Sequence, residues 1–295
     1  MPRALRLSAC AMAIFIAHGA PAWTTSEAVS LAGILKGLDR ASRLYLDSAL
    51  QFTCDETIAE PDLPPPLHRT FQYIFVHEED GSLRDYRMEK GEGKRPEIDP
   101  ARLGFHHFLQ RAYFWVLLFH SSRQKLFHYE LLDPGKTPAA GTVRIRFEAI
   151  PPYREALNDW FGTAWVDPRT FQIVHVEAMK ADSHENAKRM SEDAENLKKT
   201  SIAETGHTRT YDVQTVSSDF GVVKNGMRFP TRTRVVSSVY ALPGEVFHDR
   251  PHRLTVEHTV QAYRRYKFYS VRTKDEIRDL LHPELSSRRQ VAPGR

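Results

Sequence analysis

Between residues 24 and 51, apolar side chains recur every three or four positions: Leu31, Ile34, Leu35, Leu38, Ala41, Tyr45 and Ala49, with Phe52 continuing the series. That period gathers them on one face and predicts an amphipathic helix, with Ser26 placed to cap its first turn. The period then falls to two. Residues 52–58 read as a short strand, and residues 59–66 form a proline-rich connection. Phe71, Tyr73 and Phe75 mark alternate positions of a strand that reaches Glu79-Asp80-Gly81-Ser82 and returns over residues 83–89. Asp-Gly between two such runs favours a hairpin turn.

The polar stretch 90–100 breaks this pattern, and residues 101–119 are aromatic and His-rich, with apolar blocks too short to decide between helix and strand. Strand character returns at residues 127–132. Beyond a Pro- and Gly-rich turn, residues 133–141, lies the clearest alternation in the chain. Val143, Ile145, Phe147 and Ala149 face one way and Arg144, Arg146 and Glu148 the other, which predicts a strand over 142–150 with one dry and one wet face. Two further strands flank Asp167-Pro168-Arg169-Thr170 within residues 160–178. With Pro168 at the first turn corner, Val166 is expected opposite Phe171 and Ala164 opposite Ile173, with Trp165 on the other face. Past Val174 the buried and wet positions slip, as a bulge or burial of both faces would produce.

Residues 182–206 are charged and lack strand pattern, so an exposed helical excursion and a solvated connection both fit. Strands are expected again over 208–217 and 220–223, turning through Lys224-Asn225-Gly226 into 227–240, then over 253–263 and 266–271, with a short helix at 274–281. About nine or ten strands, mostly joined by hairpins, favour an antiparallel meander in a single domain spanning residues 23–281.

A chain of 295 residues with 41% hydrophobic content can build a sizeable core. The first residues add a compartment. Arg3 and Arg6 precede an apolar run through Ala11, Met12, Ile14, Phe15 and Ile16, and Ala20-Pro21-Ala22 offers small residues where a signal peptidase reads. Residues 1–22 are therefore expected to be a cleaved secretory signal, with an exported mature protein starting near Trp23. Leu7-Ser8-Ala9-Cys10 matches the short pattern before a lipid-modified cysteine, but the apolar run follows Cys10 instead of leading to it, which favours the later cleavage.

Without residues 1–22 the formal charge falls from +4 to +2, and Cys54 becomes the only cysteine, so no internal disulfide can form. The longest later apolar run, Tyr113 to Phe119, is far shorter than the ~20 residues a membrane helix needs. Mild net charge argues against a dedicated nucleic-acid binder. Residues 282–295 read as a flexible basic tail, with contact to acidic lipid headgroups as the alternative.

Candidate chemistry is sparse. His106, His107, His120 and His128 have no His-Glu-x-x-His spacing, and adjacent residues diverge in regular structure, so His106 and His107 are not expected to share a metal. Gly-x-Ser-x-Gly, Gly-x-x-x-x-Gly-Lys and Gly-x-Gly-x-x-Gly are all absent, so no cofactor, no metal and no catalytic residue is assigned. Cys54 has no basic neighbour in sequence to favour its thiolate.

The order of signal peptide, amphipathic helix and antiparallel strands, including "GTAWVDPRTFQIVHVEA" and "GMRFPTRTRVVSS", resembles the periplasmic lipoprotein-carrier (lipoprotein-localisation) superfamily, and more narrowly its secreted bacterial relatives. The resemblance implies a mainly β fold with helices (α+β): a strongly curved antiparallel open half-barrel wrapping the N-terminal amphipathic helix. It also implies an apolar concavity and a location in the periplasm or cell envelope of a bacterium. Phe71, Tyr73, Phe75, Val143, Ile145, Phe147 and Trp165 are then the candidate ligand-lining residues, although ordinary core packing accounts for the same alternation. Each acyl methylene buried there would contribute ~0.8 kcal/mol before ordering costs. Arg264, Arg265 and Lys267, interleaved with aromatics, are candidates for contact with a headgroup or partner. The implied function is a non-enzymatic envelope protein that reversibly binds a lipid, acylated protein or other apolar ligand. The alternative is a protein-interaction or sensory module using the same sheet, and metal-dependent hydrolysis is the least favoured. The carrier's lid-locking arginine has no matching local motif here.

Overall fold

The structure, a computed structural model, describes residues 30–48, 52–77, 83–89, 98–132, 141–154, 158–199, 208–242 and 251–268. The expected signal sequence, Ser26, the 79–82 turn, the 274–281 helix and the basic tail lie outside them.

Helix α1 (Leu31–Ser48) follows the predicted period, with Ile34, Leu38, Ala41 and Tyr45 forming its buried stripe. Ser30 caps it, its Oγ accepting from the Gly33 N–H at 3.1 Å. The strands are β1 (Phe52–Glu60), β2 (Leu67–His77), β3 (Leu83–Glu89), β4 (Phe127–Leu132), β5 (Val143–Ala149), β6 (Trp160–Asp167), β7 (Gln172–Lys180), β8 (Arg209–Lys224), β9 (Met227–Leu242) and β10 (His252–Phe268). They form one antiparallel sheet in the order β3-β2-β1-β10-β9-β8-β7-β6-β5-β4. The order is sequential around a ring, with β1 pairing β10 and one pairing missing, that between β3 and β4. The sheet is therefore open at that seam.

Residues 98–126, which precede β4, cross the interior. Residues 100–103 make a 3-10 turn capped by Asp99, Gly104 leaves it in the left-handed region (φ 91°), and Phe114–Leu118 form the short helix α2. All five α2 residues are buried, as an all-round apolar helix requires. This resolves the aromatic stretch left open by its sequence. A second short helix, α3 (Ser121–Gln124), leads into β4. Tyr113 packs on Phe52 and Phe75 at one side of the sheet, at centroid distances of 5.2 and 5.1 Å, while Phe119 packs on Phe147 at the other, at 6.0 Å. Strands from both sides thus reach one short internal segment, which requires a strongly curved sheet. The inner face wraps α1 and α2.

Of the two readings of the charged stretch, the described residues up to 199 follow the helical one. Helix α4 (Ala181–Lys199) packs on the outer face, where Met190, Ala194 and Leu197 meet Tyr211 and Leu242. Ser183 Oγ accepts from the Gln214 N–H at 3.0 Å, and the His184 ring stacks on Phe161 at 4.2 Å.

Two registers also differ from expectation. Val166 pairs with Ile173 and Trp165 with His175, because the β6–β7 loop runs over residues 168–171 and ends at Phe171 with φ 55°. Val174 is the extra residue of a bulge, which accounts for the slipped alternation. In β10, Arg265 (φ 56°) is part of a bulge opposite Cys54, so Tyr263 and Tyr266 both point inward and one strand spans what reads as two. Strand β8 is likewise continuous, with its irregularities confined to residues 219–222. The Asn225-Gly226 turn follows prediction, both residues having positive φ (51° and 75°).

Candidate functional site

Six of the expected lining residues stand on the inner face. Tyr73, Phe75, Ile145 and Phe147 are fully buried in the main core, and Val143 is partly buried against it. Phe71 forms a separate small cluster with Ile58 and Phe105. The chain's own α1 and residues 105–119 cover these side chains. Trp165 requires a correction: it stands on the outer face, paired in register with Arg144 and His175 and set edge-on to the His175 ring at 4.9 Å. The other hairpin tryptophan, Trp160, is the inner one, packed on Trp115 at 4.8 Å and Phe114 at 6.1 Å.

Arg264, Arg265 and Lys267 lie on the exposed outside of β10, apart from the lining residues. Arg265 Nε bonds Asp55 at 2.7 Å. The histidines do not converge either. His106 and His107 have rings 6.3 Å apart and face different acids, Glu60 and Glu257. His120 caps α3, and among the described residues no three His, Cys, Asp or Glu side chains are grouped to hold a metal.

A buried polar lattice fixes the internal segment. On β1, Glu56 and Glu60 share the inward parity of Phe52, Cys54 and Ile58, so both carboxylates enter the interior. Glu60 Oε1 accepts from the His106 N–H at 2.8 Å, the His107 N–H at 3.2 Å and the Thr259 hydroxyl at 3.0 Å. Arg87 of β3 bonds Glu56 through Nε at 2.5 Å and donates from Nη2 to the Gln110 carbonyl at 3.0 Å. Gln261 clamps Leu109 twice, its Oε1 accepting from the N–H at 2.7 Å and its Nε2 donating to the carbonyl at 3.0 Å.

Burial disfavours the Arg87 charge, but Glu56 more than compensates and holds its pKa above the ordinary guanidinium value. Asp85 accepts from the Tyr73 hydroxyl at 2.5 Å. The Asp85 residue keeps some surface, yet its Oδ1 is out of solvent contact, and burial pushes this carboxyl up to about 7 against the opposing pull of Arg87 and Tyr73. This lattice had a partial sequence signal, the two glutamates on the apolar parity of β1.

Beside the clamped segment an open cavity of about 440 Å³ remains. Residues 106–111 and Phe114 form one wall, and Asp159, Trp160, Lys180, Gln214, Val216 and Val235 of the sheet form the other. Its lining is mixed, aromatic and aliphatic side chains standing beside polar and charged ones. His107 is one of the polar residues, with Nδ1 3.2 Å from Gln214 Nε2 and Nε2 3.1 Å from Glu257 Oε2. A second, shallower cavity of about 330 Å³ lies across the same segment, between Phe108, Arg111, Ile98 and the end of β3.

Solved structures similar to this chain include a LolA-superfamily protein from Nitrosomonas europaea, at 12% identity and a TM-score of 0.35, covering 82% of this chain and 95% of that one. A DUF1329-family protein from Desulfovibrio piger matches at 13% identity and a TM-score of 0.37, covering 80% and 92%. A domain named as an outer membrane lipoprotein-sorting protein from Vibrio parahaemolyticus matches at 7% identity and a TM-score of 0.36, covering 84% and 99%. No protein-family model matches the chain, and no curated protein matches it.

Proposed function

We propose that the protein is a non-enzymatic, exported binding protein of the cell envelope that holds an amphipathic ligand reversibly inside its half-barrel. The observation that carries this reading is the cavity of about 440 Å³ on the inner face, walled by Phe108, Leu109, Phe114, Trp160, Val216 and Val235 together with polar groups. Small-ligand sites typically span ~300–1,000 Å³, and this one is of that size and combines aromatic and aliphatic side chains with polar ones. The deeper aromatic face, with Phe71, Tyr73, Phe75, Val143, Ile145 and Phe147, becomes ligand surface only when residues 105–119 move aside. The charged and then apolar first residues support export, and an N-terminus at Trp23 in the protein recovered from a secreting host tests it.

Native mass spectrometry of protein from a lipid-containing host, followed by organic extraction, tests the binding. Extractable amphiphile, and acyl-probe binding that Gln214→Trp blocks at the cavity mouth, are the expected results. An empty protein that binds no acyl probe rules the reading out. One feature favours the interaction-module alternative: β4 pairs only with β5, leaving its other backbone edge without a strand partner among the described residues. Crosslinking in cells from β4 to another envelope protein, with no lipid recovered, would favour that alternative.

A further inference from the structure

Two basic side chains, Arg111 and Lys180, stand among the aromatic residues that line the cavity. Lys180 Nζ lies 5.9 Å from the Trp160 ring, Phe114 lies 6.1 Å from Trp160, and the Arg123 guanidinium stands 5.4 Å over the Phe114 ring. Arg123 and Lys180 are thus linked through two neighbouring aromatic rings, and Arg111 stands on the same cavity wall as Phe114. The one acid in the wall is Asp159, and the neighbouring His106 and His107 are engaged by Glu60 and Glu257.

We infer that the cavity takes a single acyl chain bearing an acidic headgroup, phosphate or carboxylate, with the chain along Phe114, Trp160 and Val235 and the head at Arg111 and Lys180. This rests on the reading of the concavity as a ligand site and adds to it the charge and size of the ligand. Two observations converge. First, the cavity falls in the lower half of the ~300–1,000 Å³ range of small-ligand sites, a size for one chain rather than several. Second, two cations, Arg111 and Lys180, and one acid, Asp159, stand among the lining residues beside Phe114, Trp160 and Val235, and guanidinium groups bind phosphate and carboxylate by short charge-assisted hydrogen bonds. The Arg123 pKa is lowered by burial and then by repulsion from Arg111, so the two guanidinium groups stand close enough to feel one another.

The test compares dodecyl phosphate, dodecanoate, dodecanol and inorganic phosphate by titration calorimetry on the wild type, Arg111→Gln, Lys180→Gln and the double variant. Arg111 is exposed and Lys180 half-exposed, and circular dichroism checks that each variant stays folded. Both acidic chains are expected to bind about tenfold or more tighter than dodecanol, the advantage shrinking with added salt and vanishing in the double variant while dodecanol binding is unchanged. Equal binding of acidic and neutral chains, indifferent to both substitutions, would overturn the headgroup assignment and leave the ligand-site reading standing. Inorganic phosphate binding as tightly as dodecyl phosphate would overturn the acyl part. No binding of any chain would overturn this inference together with the reading beneath it.

Discussion

Arg87 on β3 reaches past β2 to Glu56 on β1, with Nε 2.5 Å from Oε2 and Nη2 3.1 Å from Oε1, and the pair is almost wholly buried. The same guanidinium holds the backbone of the segment that fills the half-barrel, so one ion pair couples the sheet's open edge to its contents.

Removing one partner leaves the other charge buried and unpaired, so Arg87→Met is expected to cost about 3–5 kcal/mol of folding stability. The double variant Arg87→Met with Glu56→Leu should recover a large part of that loss. Urea denaturation of the three proteins checks this, and a single-variant loss below about 1 kcal/mol would contradict a buried pair.

Asp85 supplies a pH dependence. Its native carboxyl keeps its proton to about pH 7, whereas an unfolded Asp releases it near its ordinary value of 3.8. The native state therefore binds the extra proton between these pH values. The contribution of this group is complete below the unfolded pKa and is lost as pH rises through about 7. Asp85→Asn keeps an acceptor for Tyr73 and removes the titration. Its melting temperature should exceed the wild type's at pH 8 and match it near pH 4, whereas the same offset at both would contradict the assignment.

Gly37 on α1 is set against Phe171, the left-handed residue ending the β6–β7 loop. A Cβ at Gly37 would fall 2.1 Å from Phe171 Cγ. Gly37→Ala gains up to about 1 kcal/mol of helix propensity. The forced shift of a packed ring is expected to outweigh that gain, for a net loss of about 1–2 kcal/mol. A rise in stability would mean that the loop does not seat on α1.

Burial, reinforced by Glu56, pushes the Cys54 thiol well above its ordinary pKa. It should resist Ellman's reagent in the native protein and react only at the rate of unfolding. Prompt reaction in native buffer would contradict its place beneath the aromatic cluster.

The alternation on β5, the Asn225-Gly226 turn and the α1 stripe were legible because each depends on residues close in sequence. The hairpin pattern already set Trp165 on the other face from Ala164 and Val166, so its inclusion among the lining residues went against that pattern. The β10 bulge was not, because Arg265 is a left-handed residue with no glycine or asparagine to announce it. Helix α4 was obscured because Met190, Ala194 and Leu197 make a thin stripe among charges and need Tyr211 and Leu242 to complete it. The cavity was the least legible feature. Its walls come from residues 106–111, 114, 159–160, 180, 214, 216 and 235, and only the closing of the sheet around the internal segment brings them together.

The most direct test uses the tryptophans on opposite faces of one hairpin. Titrating a spin-labelled fatty acid into protein with assigned indole N–H resonances should broaden Trp160, on the cavity wall, and spare Trp165, on the outer face. Broadening of Trp165 with Trp160 unchanged, or of neither at saturating label, would contradict a ligand seated inside the half-barrel.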